Sequence, residues 1–517
     1  MRLIYWLVGI GLFILALWGG GKYYVNQKLS GLIEKANEGD NSLELGSWGT
    51  QFRIYNLGLE ADSISLDQRV GKRRVSGSVG RIEVNNLSIV SMIIGEVPEI
   101  SGLIVERPDL LISSSGSPGK SVNDTAATQQ DQQFVKFNNF ELRNGRIFQG
   151  DSREEAKVIA YGIDATSEGM SIPPETDDFA TLSVKIDSFH LPRRNKLTDW
   201  WIRGVRIADG EALSIDQLTL EPKQTQKKFL TTIKTRQSWN ALRIDSVSSS
   251  RVDLSKVLSP DSVTYVDRLE VSNLDFLVYE NPDLPRPEQE SRKQMPVEIL
   301  RGLPIRLSIG EVELPKVKVT YGAMDSTGTS SNLTFSKGEV SLRNVRTRET
   351  DEPLVIEANF LFDLAARVNA RFDLDQNGNG RNFTMSGSMG KYELPKVNPL
   401  MDIAAKAILK TGQLNEIDYE ARVENEVSKG ELMFKYENLG VKLTGDGAFF
   451  KNLLKGVALR SDNPQPDGDL RRGKIYHEHP EDRPFFNLYW KSIVSGLTST
   501  AAGNLFIDEK IESEKVE

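Results

Sequence analysis

Gly310-Glu-Val-Glu-Leu-Pro-Lys-Val-Lys-Val-Thr-Tyr321 alternates polar and apolar residues, and Arg81-Ile-Glu-Val-Asn-Asn-Leu-Ser-Ile89 does the same. Successive side chains of a strand point to opposite faces, so such runs describe strands with one wet and one apolar face. They recur from about residue 43 onward, broken by turn clusters such as Asn144-Gly145, Asp209-Gly210 and Asn377-Gly378-Asn379-Gly380. A parallel α/β sheet needs helical crossovers between its strands, and no helical period separates these runs. The pattern predicts an all-β body, antiparallel and meander-like, with roughly 30 strands at about 11 residues per strand and turn.

A degenerate hexad runs through the body: Ile82-Glu-Val-Asn-Asn-Leu87, Phe137-Asn-Asn-Phe-Glu-Leu142, Leu213-Ser-Ile-Asp-Gln-Leu218, Leu269-Glu-Val-Ser-Asn-Leu274 and Val340-Ser-Leu-Arg-Asn-Val345. Its irregular spacing excludes a propeller or a short-period β-helix, and any antiparallel sheet yields hexads of this kind.

Composition narrows the function. The chain has 517 residues, a formal charge of −8, three histidines and no cysteine. No disulfide, thiolate catalyst or cysteine-ligated metal is available. That is compatible with a chain that crosses an oxidising space without needing disulfides. A slightly acidic balance argues against nucleic acid, whose phosphates demand a clustered positive excess.

No charge lies between Arg2 and Lys22. Roughly 20 residues at 1.5 Å each reach about 30 Å, the thickness of a hydrocarbon core. Leu3, Trp6, Leu7, Ile10, Phe13, Ile14, Leu17 and Trp18 are the expected membrane contacts, with Tyr5, Trp6 and Trp18 near the two interfaces. The run is long for a signal peptide, and Leu17-Trp18-Gly19 is a poor cleavage site, so an uncleaved anchor over residues 1–25 is expected. A short N-terminal tail ahead of one span and a large polar body favours export of that body.

The remaining organisation follows from punctuation and period. A β unit is expected over 26–112, opening on a juxtamembrane helix at Asn26–Ala36, then a Ser/Gly/Gln-rich flexible loop at 113–133. A central β region follows over 134–397, interrupted at Pro282–Pro296, and a C-terminal region with helices over 398–507. A charged tail occupies 508–517. The spacing predicts helices at Pro399–Lys410, ended by Gly412, and at Phe486–Leu497. The second helix is expected to lie on a membrane or, preferably, to close the end of the sheet.

Catalytic and metal chemistry finds little support. His477-Glu478-His479-Pro480-Glu481-Asp482 is the densest set of ligand types, but the third histidine, His190, is remote, and the run reads as a loop before the last helix. Asp373-Leu-Asp-Gln-Asn-Gly378 opens like a calcium loop yet carries Thr384 where the bidentate glutamate belongs, so a hairpin turn is expected. Trp200-Trp201, followed by Arg203, reads as core aromatics or a partner contact. No nucleophile elbow or phosphate-cradling glycine loop appears, so no enzyme is expected and no cofactor.

Two stretches go further. Ile82-Glu-Val-Asn-Asn-Leu-Ser-Ile-Val-Ser-Met-Ile-Ile-Gly-Glu-Val-Pro-Glu-Ile-Ser-Gly-Leu-Ile-Val-Glu-Arg-Pro-Asp-Leu-Leu-Ile112 is similar to the N-terminal unit of AsmA-like envelope proteins. There a strand of the type v-x-n-L leads to v-x-l-x-x-P-x-l-x-i just after a single membrane anchor. The second stretch runs from Asn398-Pro399 through Gly412-Gln-Leu and Gly430-Glu-Leu-Met-Phe-Lys-Tyr-Glu-Asn-Leu439 to Phe486-Asn-Leu-Tyr-Trp-Lys-Ser-Ile-Val-Ser-Gly496. It resembles the C-terminal part of the same family, which is related to TamB and to chorein-type lipid-transfer proteins.

The resemblance implies a protein held in the bacterial inner membrane by one span, with its body in the periplasm. It implies a long, curled, groove-like β-sheet that binds or channels phospholipid acyl chains for outer-membrane lipid homeostasis. Phospholipid, the inner membrane and other envelope proteins are the implied partners. The family offers no catalytic residue, and the lipid-contacting positions stay unassigned. A sandwich core satisfies the alternating pattern equally well. A scaffold for envelope assembly that carries no lipid is the alternative function.

Overall fold

β-Branched and aromatic residues at every second position, set between Asn, Asp and Gly turns, leave the backbone little choice but strands. The computed structural model describes residues 42–53, 56–70, 73–88, 100–113, 135–150, 152–172, 178, 180–192, 197–249, 251–252, 263–287, 292–303, 305–445 and 459–503. The expected anchor at 1–25 with all its named side chains, the Asn26–Ala36 helix and the 508–517 tail lie outside these residues. Among the described residues no helix is long and apolar enough to cross a membrane.

The protein is all-β, with its strands hydrogen-bonded into one large mixed sheet that is not closed. Contacts divide the chain into two units, Met1–Pro192 with Trp200–Gln217 and Ser248–Thr264, and Arg193–Asp199 with Leu218–Val247 and Tyr265–Glu517. In the first unit lie β1 (Ser42–Arg53), β2 (Asn56–Val70), β3 (Arg73–Ser88), β4 (Ile100–Ser113), β5 (Val135–Gln149), β6 (Lys157–Ile172) and β7 (Ser183–Pro192). Strands β8 (Thr198–Ala208), β9 (Ala212–Pro222) and β10 (Trp239–Ser249) are each divided between the two units. The second unit holds helix α1 (Gln226–Thr232), then nearly all of β11 (Thr264–Glu280), then α2 (Pro296–Arg301). It continues with β12 (Leu307–Met324), β13 (Ser330–Arg346), β14 (Leu354–Phe362), β15 (Ala366–Leu374), β16 (Phe383–Met389) and the short β17 (Tyr392–Glu393). Helix α3 (Asn398–Ala405), β18 (Ala407–Glu424), β19 (Val427–Leu443), β20 (Arg472–Glu478) and α4 (Phe485–Ala502) complete it.

The strand pairings from β1 to β7 and from β12 to β20 follow the meander with one correction. β4 and β5 run parallel, with Ile100 beside Phe137 and Ile112 beside Gln149, so the sheet is mixed. Two antiparallel strands close with a two-residue turn, whereas a parallel neighbour needs a connection of a dozen residues or more. The 21 residues between β4 and β5, which take in all of the expected 113–133 loop but Ser113, are enough for that. Among the described residues the strands are also fewer and longer than the roughly 30 expected from about 11 residues per strand and turn; β12 and β18 reach 18 residues each.

A row of left-handed residues crosses the first unit. The pairs flanking it place Ser63 of β2 opposite Gly80, Gly80 opposite Arg107, Arg107 beside Asn144, and Gly162 opposite Asp187. Ser63, Arg107, Asn144 and Gly162 have φ of 56°, 52°, 54° and 62°. At Gly162 a Cβ would come within 2.2 Å of the Asp187 carboxylate, so only glycine fits. Each kink shifts the alternation by one residue, as a bulge does. On this face the buried apolar positions of β3 are Val75 and Val79, then Ile82 and Val84, and those of β4 are Leu103 and Val105, then Pro108 and Leu110; Ile100 and Leu111 of β4 are buried on the other face. A slip on one strand alone would turn its apolar set to the other face. Because neighbours slip in step, one face stays apolar.

The run Gly310–Tyr321 contains the same device. Pairing of β12 with β13 shifts between Leu314 and Val317, at Pro315 and Lys316, and the apolar set steps from Val312 and Leu314 to Val317 and Val319. Proline cannot donate to a ladder, so it sits where the register breaks.

Two helix boundaries differ from expectation. Helix α3 ends at Ala405, with Lys406 left-handed at φ 51°, and the next residues enter β18 as partners of β19. The Asn398 side chain bonds both the N–H and the carbonyl of Leu409, at 2.7 and 2.8 Å, folding the helix back on the strand. Gly412 therefore lies inside a strand. Helix α4 runs on to Ala502 because its last turn is buried through Ser499, Thr500 and Ala501.

Candidate functional site

Directly paired residues share a face, so the apolar face of the first unit can be read strand by strand. Val84, Leu103 and Phe140 lie across β3, β4 and β5. Val105, Leu142, Ala165 and Val184 continue it across β4 to β7, and beyond the kink row come Leu110, Ile147, Ala160 and Phe189. Val79, Ile82, Val84 and Val105 are fully buried, whereas Leu142, Ile147, Ile163, Val184 and Ile186 are half-buried. The described helices all belong to the second unit.

The opposite face carries a set of ion pairs, with Ile100, Phe137 and Met170 buried side by side at one end of it. Arg81 bridges Glu60 and Glu83, Arg143 bridges Glu106 and Glu141, and Arg146 holds Asp109 at 2.6 Å. The Arg143 hydrogen bond holds the Glu141 carboxyl below its usual range, against a smaller desolvation effect. A shallow cleft of about 670 Å³ is lined by residues that include Asn139, Glu141, Glu168 and Thr181. Its polar groups bond one another: Ser167 Oγ donates to the Asp178 carbonyl and Thr181 Oγ1 to that of Glu168, at 3.1 and 2.6 Å. No histidine or lysine lines it to activate a hydroxyl.

In the second unit α4 closes the sheet. Ser495 Oγ donates to the Tyr476 carbonyl and accepts its N–H, and Ser499 Oγ accepts the N–H of Lys474. Helix hydroxyls thus take the place of a further strand along β20, covering an edge that would otherwise template association. The approach is close: a Cβ on Gly473 would sit 2.2 Å from the Gly496 carbonyl oxygen. At the other end Phe485 meets Phe372 and Phe383, both with centroids at 5.3 Å. The Tyr419 and Tyr489 hydroxyls are 2.9 Å apart, and burial, then Tyr489 itself, pushes Tyr419 far above the usual phenol range.

The chain leading into α4 is tied by a buried ion cluster. Arg381 is 5% exposed and bonds Glu298 through Nε at 3.2 Å and Nη2 at 3.3 Å, and its Nη1 pairs with Glu426. Burial opposes ionisation of Glu298, but the Met295 N–H and Arg381 outweigh it and hold the carboxyl below its ordinary range.

The remaining sequence candidates are placed as follows. His477 and Glu478 are the end of β20 rather than loop residues, drawn into the sheet by pairing with Ser428 and Val427. The rings of His477 and His479 are 6.2 Å apart, and among the described residues no group of three His, Cys, Asp or Glu is placed to hold a metal. Asp373 pairs directly with Thr384 across β15 and β16, so the calcium-loop geometry does not form and a hairpin does. Trp200 and Trp201 lie half-buried on β8, where Trp201 stacks on His190 at 4.2 Å beneath Arg203. All five hexads lie in strands, and in two of them the fifth residue is left-handed, Asn273 at φ 48° and Asn344 at φ 60°. Sequence reading missed Arg381 and the kink row; the one-residue slip between Val79 and Ile82 was the available signal. No protein-family model and no curated protein matches this chain.

Proposed function

We propose that the chain is an inner-membrane-anchored periplasmic protein whose apolar sheet face takes up phospholipid acyl chains and passes them along, supporting outer-membrane lipid homeostasis. The observation that carries this reading is the kept apolar face of β3 to β7, which the matched slips maintain on one side of the sheet while Leu142, Ile163 and Ile186 remain half-buried. An acyl chain needs a dry surface, and each buried methylene contributes about 0.8 kcal/mol. A face ten methylenes long would hold a chain by about 8 kcal/mol before ordering costs, ample for a carrier. The sheet is curled in this reading, so that the headgroup stays in water beside the ionic side. The protein binds and moves its ligand without a chemical step.

Site-specific photo-crosslinking of the full chain in bacterial cells tests it. A benzophenone side chain at Leu142, Ile163 or Ile186 is expected to yield phospholipid adducts, and one at Glu141 or Lys185, on the opposite face, none. Protein adducts alone at the three apolar positions would replace the lipid reading with the assembly scaffold.

A further inference from the structure

His479 occupies an unusual position at the seat of α4. It is 5% exposed, and its N–H donates to the Glu426 carbonyl at 2.9 Å. Its Nε2 lies 3.0 Å from the Arg483 carbonyl oxygen, a pure acceptor, so Nε2 carries the proton. That leaves Nδ1 as the unprotonated nitrogen, buried and without a hydrogen-bond partner among the described residues. The same loop is anchored elsewhere, for the Lys293 N–H donates to the Glu481 carbonyl at 2.8 Å. Two residues past Arg483 begins Phe485, wedged on Phe372 and Phe383.

Charges surround the ring on every side. Arg381, at the entry of β16, faces it together with Glu426 from the β18–β19 turn and, through Arg381, Glu298 of α2. Asp482 and Arg483 come from its own loop, whose Glu481 binds Lys293 through the backbone, and His477 and Glu478 from β20.

We propose that His479 is an acid-sensitive latch for α4: a proton arriving on Nδ1 places a second buried cation beside Arg381, frees the 479–484 loop and lifts α4 from the β20 edge. The acceptors near the ring are already engaged, Glu298 and Glu426 by Arg381, and a buried imidazolium without an acceptor is costly. Burial chiefly pushes the group down; the Arg483 carbonyl acts against this, Arg381 adds to it, Asp482 opposes, and the Arg483 guanidinium adds again. With the folded value below the unfolded value of about 6.5, the latch is intact above that pH and is lost as pH falls through the lowered value. Opening bares the N–H groups of Lys474 and Tyr476 that Ser499 and Ser495 now cover.

Hydrogen exchange of the full chain, corrected for intrinsic rates, tests the latch between pH 7.5 and 5. Protection over 485–493 is expected to fall by up to on the order of tenfold per pH unit between about 6.5 and the lowered folded value and to level off below it, with β18 amides unchanged. In His479→Gln, whose amide still donates to Arg483, protection stays constant. An equal fall in that variant, or no fall in the parent, overturns the proposal. If His479→Gln does not fold, the imidazole itself decides: with His190→Gln and His477→Gln in place, a His479 titration midpoint at or above about 6.5 by NMR overturns it, and a lower midpoint in the Nε2–H form upholds it.

Discussion

Arg107 of β4 and Asn144 of β5 stand side by side across the parallel pair with left-handed backbones, at φ 52° and 54°. Both residues are exposed, and the Arg107 side chain lies over Gly80 of the neighbouring strand. The conformation costs an L-residue about 1–2 kcal/mol, least for Asn. Asn144→Val is therefore expected to destabilise by about 1–2 kcal/mol, and Asn144→Gly to be neutral or slightly stabilising. The urea midpoint reports both; an unchanged midpoint for the valine variant would show that the kink is not imposed on position 144.

Tyr419 and Tyr489 act as a unit. Removing one hydroxyl strands the other in a buried aromatic cluster, which costs about 1–3 kcal/mol. Tyr489→Phe should lose that much, and the double Phe variant less than the sum of the two single ones. Strict additivity across the cycle would mean that the 2.9 Å contact carries no coupling.

Gly473 sets the distance between α4 and the sheet. A Cβ there meets the Gly496 carbonyl oxygen at 2.2 Å and the Thr500 hydroxyl at 2.3 Å, both held by the helix. Gly473→Val is expected to displace α4 and to open Lys491, half-buried in the parent, to trypsin. Equal cleavage rates would show that the helix accommodates the branch.

Glu298 and Arg381 make a separate, more acidic dependence. Because the Glu298 value is held down in the fold, its contribution is present above the ordinary carboxylate pKa of about 4.3 and disappears as pH falls through the lowered value. Glu298→Gln should be less stable at pH 7 and show a flatter fall in urea midpoint between pH 5 and 3. Parallel curves for parent and variant would remove Glu298 from the acid response.

The all-β class was legible because a period of two has one physical cause, and α4 because its amphipathic spacing is local. The parallel pair was not legible. Val105 and Leu142 carry no mark of strand direction, which depends on the length and path of the connection between them. His477 read as a loop residue because nothing local announces that Ser428, far away in the chain, will pair with it. Arg381 is one arginine among 64 basic residues, and only the closing on it of two distant segments, 293–298 and the turn at Glu426, turns it into a buried anchor.

By itself the amino-acid sequence determined the strands, their turn residues and an apolar side to each, since these rest on backbone sterics and on the side-chain alternation of neighbouring residues. It also contained the slips, Val79 to Ile82 and Leu314 to Val317, as breaks in that alternation. Only the tertiary structure decided that each break is met by one in the strand beside it, so that within the first unit one face remains apolar from β3 to β7. Register is a relation between segments, and hydrogen bonding across strands, not propensity within them, sets it.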